Sequence, residues 1–180
     1  MDFFNKVLIL LLFVFYASGV RVEAQTGIKN IRELYYLASK DSKVAEKFYK
    51  IVSTADTLTP VLLGYKGMAE FMISYHSYNP YIKLSYFNEG KQSLNKAVSY
   101  QPGNVELRFL RFTVQANAPF FLVYNNEIKE DKKIIYSALK STVLPKKDRD
   151  LYERIFEFVI ASDLFNVEEK NLLKSLYIKE

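Results

Sequence analysis

The sequence predicts an all-α protein of about seven or eight helices, built from antiparallel helical hairpins stacked side by side. Three observations carry this. After Gln25 the apolar residues recur at helical spacing, and no stretch alternates apolar and polar long enough to make a strand. Thr59-Pro60 and Asn79-Pro80 each place a capping side chain before a proline at the first helical position. Finally, the run GKQSLNKAVSYQPGNVELRFLR (residues 90–111) closes one helix, turns at Pro102-Gly103 and opens another at Asn104.

Taken in order, helices are expected near 28–38, 42–54, 60–77, 80–100, 105–117, 126–141, 147–162 and 167–178. The third and fourth begin at the Thr59 and Asn79 caps, and the fifth begins at Asn104. The last begins at Asn166-Val167-Glu168-Glu169, which has the spacing of a capping box with Asn in the Ser/Thr position. The connections are short except around Asn117-Ala118-Pro119-Phe120-Phe121-Leu122-Val123-Tyr124. That segment is aromatic-rich but starts with a helix breaker. It is expected to tuck against the core, with the mouth of a groove as its other possible setting.

The chain opens on an apolar run, Val7 to Ala17, which Ser18, Gly19 and Arg21 end before the ~20 residues a membrane-spanning helix needs. Val22-Glu23-Ala24 offers small residues where a signal peptidase cuts. Residues 1–24 are therefore read as a cleaved signal peptide, and 25–180 as one helical domain without a membrane span. The expected location is periplasmic or secreted. The chain has no cysteine, which excludes a bacterial-type lipoprotein anchor, disulfides, thiolate zinc and thiol catalysis. Such a domain must be held by its core, and 14 Phe and 14 Tyr supply packing material. The net charge of +5 comes mainly from lysines interleaved with carboxylates, as in Lys129-Glu130-Asp131-Lys132-Lys133. That pattern reads as a solvated helix face, not a nucleic-acid surface.

Gly90, Leu94, Ala97 and Pro102 match the small–bulky–small–proline pattern of the second helix of a tetratricopeptide repeat. The chain thus resembles a tetratricopeptide-like array, which implies a right-handed stack of hairpins. The preceding helix departs from the motif, since Leu63-Gly64-Tyr65-Lys66-Gly67 lies too far upstream. Gly67 and Gly90 nevertheless stand 12 and 11 residues from Asn79, which would place them level in an antiparallel hairpin. The segments GYKG, NPYIKLSYFNEG and QPGNVELRFLRFTVQANAPFFL, within residues 64–122, resemble short exported proteins of Bacteroidota-type bacteria. That resemblance implies export and helices, and transfers no catalytic residue.

Little in the sequence points to catalysis. His76 is the only histidine, and no metal-binding or nucleophile motif accompanies it. Glu127/Asp131 and Glu153/Glu157 are spaced four apart beside lysines and arginines, as surface ion pairs are. No metal or other cofactor is called for. The candidate binding residues are Arg108, Arg111 and Gln115, which share one face of an otherwise apolar helix, together with Tyr65. Buried guanidinium groups need partners, and Glu70 and Glu89 on the preceding hairpin are the expected ones. The alternative is that the stripe lines a groove and reads an acidic ligand or a peptide carboxylate. Tyr65, Tyr75, Tyr78, Tyr81 and Tyr86 are expected in the core or at its rim, or else as a stacking platform. The expected function is a non-enzymatic interaction module presenting a helical groove to a protein or peptide. The other reading is a small-molecule or lipid binder, with an aromatic-rich pocket near Arg108 and Arg111.

Overall fold

The computed structural model describes residues 27–55, 59–141 and 148–177. Among them are eight α-helices and no strand: α1 (27–38), α2 (Ser42–Ser53), α3 (Pro60–His76), α4 (Pro80–Tyr100), α5 (Val105–Asn117), α6 (Ile128–Leu139), α7 (Arg149–Ala161) and α8 (Val167–Tyr177). The signal peptide, the start at Gln25, and the expected helix ends within 142–147 and at 178 lie outside the described residues. No described helix is long and apolar enough to cross a membrane.

The boundaries follow from caps. Thr59 accepts from Leu62 N, Asn79 from Tyr81 N and Ile82 N, and Asn104 from Leu107 N. Each such cap is worth about 1 kcal/mol. Asn166 Oδ1 accepts from Glu169 N while Glu169 Oε2 accepts from Asn166 N, both at 2.8 Å, a reciprocal capping box. Asp41 caps α2 by accepting from Lys43 N and Val44 N.

Consecutive helices pack on one another, and α3 and α4 approach closely at two glycines. A Cβ built on Gly67 would stand 2.9 Å from the Gly90 carbonyl oxygen, and one on Gly90 would stand 2.9 Å from the Gly67 carbonyl oxygen. The two glycines do face each other, and neither position has room for a methyl. Gly64 is small for a different reason: the Leu107 side chain occupies the space its Cβ would need. Gly90→Leu should therefore wedge the hairpin open and cost about 1–3 kcal/mol. Gly90→Ala should destabilise by less, since about 1 kcal/mol of helix propensity offsets part of the clash. Chemical denaturation of the two variants checks the order.

Among the described residues there are two large hydrophobic clusters and a small third one, in which Ala97 and Val98 of α4 meet Leu107 of α5. One large cluster joins α1 to α4, with Phe48, Tyr65, Met68, Phe71 and Leu94 at its centre, and takes in Leu110. The other joins α5 to α8 around Phe112, Ile135, Ile155 and Val159. Helix α5 lies between them, and every residue from Glu106 to Phe112 is buried. Charge buried on α5 must therefore be answered by the chain itself.

Helix α1 does not stay at one end of a linear stack. Arg32 reaches Glu106 at the start of α5 and Asp148 just before α7. Arg154 of α7 pairs with Glu33 at 3.0 Å and lies 4.0 Å from the centre of the Tyr36 ring. The first helix thus bridges to the seventh.

The connection after α5 starts with a short 3-10 turn, Phe120–Leu122. Leu122 packs on the first cluster and Tyr124 is buried within it, against Phe71 and Phe87. Between them Val123 adopts φ of 45°, unusual for a β-branched side chain. Phe121 is 68% and Val123 61% exposed. The segment tucks into the core as expected, yet turns two apolar side chains outward.

Candidate functional site

The arginine stripe of α5 meets α6. Asp131, with no exposed surface, is the centre of the arrangement. Its Oδ2 accepts from Arg111 Nε at 2.7 Å, and its Oδ1 from Arg111 Nη2 and Arg108 Nη1, each at 2.8 Å. Arg108 Nε donates to the Pro102 carbonyl at 2.6 Å, and Nη2 to Glu130 Oε1 at 2.9 Å. Arg111 Nη1 donates to Asn95 Oδ1, which also accepts from the Tyr124 hydroxyl. Every nitrogen of both guanidinium groups is engaged.

Charge-assisted bonds of this kind are the strong ones. For Arg111, burial favours the neutral form, but the hydrogen bonds and charge of Asp131 outweigh it and raise the pKa further. Burial likewise pushes the Tyr124 hydroxyl up.

This corrects two expectations. The partners of Arg108 and Arg111 are not Glu70 or Glu89. Glu70 is buried and pairs with Lys66 at 3.1 Å, while exposed Glu89 accepts from Ser85. Nor is Asp131 a surface ion-pair residue. It lies on the buried stripe of α6 with Ile135 and Leu139. Its place four residues before Ile135 on an apolar stripe was the available signal, and the neighbouring lysines hid it.

Gln115, the third member of the stripe, donates from Nε2 to Glu127 Oε2 at 3.0 Å, and its buried Oε1 has no hydrogen-bond partner. Tyr65 belongs elsewhere. It is fully buried, and its hydroxyl donates to Glu106 Oε1 at 2.7 Å. Glu106 also accepts from Arg32 Nε at 2.7 Å and Nη2 at 2.8 Å. Burial first, then the Glu106 charge and hydrogen bond, hold the Tyr65 pKa well above its ordinary value. The four candidate residues are thus not one site: Arg108 and Arg111 share Asp131, Gln115 bonds to Glu127, and Tyr65 joins Glu106 and Arg32. Arg32 and Glu106 were missed, although each interrupts an apolar stripe.

The remaining tyrosines divide by position. Tyr86 is half-buried, with its ring 5.6 Å from that of Tyr49. Tyr75, Tyr78 and Tyr81 are exposed at the α3/α4 turn. His76 sits behind them, its Nε2 donating to the Ala38 carbonyl at 2.7 Å, which ties the ends of α1 and α3 together. Among the described residues no three His, Cys, Asp or Glu side chains gather as a metal site would require.

The chain matches no protein-family model, no curated protein and no solved structure.

Proposed function

We propose that the chain is an exported, non-enzymatic interaction module that meets a protein or peptide partner with the connection between α5 and α6. The tetratricopeptide-like resemblance favours such a role by analogy of architecture. The observation that carries it is the outward pair Phe121 and Val123, 68% and 61% exposed, held by an anchored and strained backbone. Tyr124 fixes the segment from beneath, and Lys91 Nζ donates to the Val123 carbonyl at 3.4 Å. Aromatic side chains presented on a rigid support are what interface anchors look like. A backbone conformation that costs about 1–3 kcal/mol is tolerated where function needs it.

The arginine stripe, with its nitrogens engaged inside the chain, lends no support to a ligand pocket at Arg108 and Arg111. Helix α1 is bonded across to α5 and α7, and the loop is the better surface.

Val123→Gly is the test. Glycine adopts positive φ freely, so the variant should be as stable as wild type or more so by up to about 1 kcal/mol. Its capture by the partner should fall. A photo-crosslinking residue at position 121, used in the native cell envelope, should give a discrete protein adduct that Val123→Gly weakens. An unchanged adduct in that variant, or none at position 121, would remove the reading.

A further inference from the structure

We propose that the tip of the α3/α4 hairpin is a second, separate binding surface, which docks onto the anionic headgroup layer of a lipid bilayer. Every residue from Tyr78 to Ser85 is exposed, so the start of α4 projects from the body. What it projects is apolar and aromatic: Tyr78 at 102% and Tyr81 at 85% exposure, with Ile82, Leu84 and Tyr75 beside them. A projecting apolar surface suits a soft planar layer. Tyrosine, with an apolar ring and a polar end, is the side chain favoured at the depth of lipid headgroups.

Charge selects the kind of layer. Between Glu70 and Glu89 the sequence contains no carboxylate, and Lys83 is its one lysine. The α1–α2 turn, tied to the tip through His76 and Ala38, adds exposed Lys40 and Lys43. Its one carboxylate, Asp41, is engaged in capping α2. Three lysines around an apolar tip complement an anionic surface, with their stems able to lie along the apolar layer. A second copy of this tip would instead bring like charges together.

The chain has no tryptophan, so Tyr78→Trp places a single reporter at the tip. The full chain carrying it is mixed with vesicles of equal parts phosphatidylglycerol and phosphatidylcholine. A reporter at the tip separates docking there from any lipid affinity of the apolar amino-terminal segment. The expected result is a blue-shifted emission that brominated lipids quench and added salt reverses. Changing Lys40, Lys43 or Lys83 to Gln should lower partitioning about fivefold each, the equivalent of about 1 kcal/mol per lysine. In a parallel variant, Phe121→Trp should stay unshifted.

Several outcomes would overturn the proposal. One is vesicle binding without a change at position 78. Another is equal binding to pure phosphatidylcholine, and a third is a shift at position 121 instead. A protein adduct at position 78 with no lipid response would make the tip a protein contact. Apart from the shift at position 121, these outcomes leave the loop reading intact, since that is tested by capture at position 121.

Discussion

Asp131→Ala is expected to destabilise the protein by roughly 3–5 kcal/mol, because it leaves two buried guanidinium groups without their shared carboxylate. Arg111 would lose the acceptor for both its Nε and its Nη2, keeping only Asn95 at 3.4 Å. Arg108 would retain the Pro102 carbonyl and the more exposed Glu130. Arg111→Met should accordingly cost more than Arg108→Met. Replacing all three charged residues by apolar ones of similar volume should recover much of the loss, since the cost lies in stranding one charge and not in lacking the pair. Denaturation of the singles and the triple measures this. Wild-type stability in Asp131→Ala would mean that the network does not hold α5 to α6, and the arginine stripe would return as a candidate ligand site.

The contrast between what could and could not be read in the sequence has a physical cause. Helix starts at Pro60, Pro80, Val105 and Val167 were legible because their capping groups lie within four residues of the backbone they serve. The Gly67–Gly90 contact was legible because the turn at Asn79 sets the register of the whole hairpin. The partner of Arg111 was not, since Asp131 is 20 residues away across an irregular connection. A guanidinium needs some buried carboxylate, but local spacing does not say which helix brings it. The bridge from α1 to α5 and α7 was hidden for the same reason, since Arg32 and Glu106 are 74 positions apart.

The outward turn of Phe121 and Val123 is different again. Composition suggested an apolar segment packed inward, and Leu122 and Tyr124 obey that. Tyr124 is buried against Phe71 and Phe87, and the residue before it takes a positive φ. Nothing in a window of ten residues carries that arrangement.

Glu106→Gln should be the other severe change, costing roughly 3–5 kcal/mol by leaving Arg32 short of its buried charge partner. The side chain keeps its shape, so the loss reports charge and not volume. Arg32 would retain Asp148 at 2.9 Å, but that carboxylate is a third exposed. Asp148→Asn should therefore cost no more than about 1 kcal/mol. Tyr65 adds a pH signature to the same network. Its pKa is raised in the folded protein, by burial and then by Glu106, from an ordinary value of 10.0. The stability tied to its proton is complete below that value and is lost as pH rises beyond it, since the unfolded chain gives the proton up first. Tyr65→Phe should lower stability at neutral pH by about 1.5–3 kcal/mol, the worth of a hydrogen bond to a charged group. It should also reduce the decline in stability above about pH 10, leaving the part due to other buried tyrosines. Denaturation midpoints measured across that range separate the two effects. If Glu106→Gln and Asp148→Asn proved equally mild, α1 would not be fastened to α5 by this network.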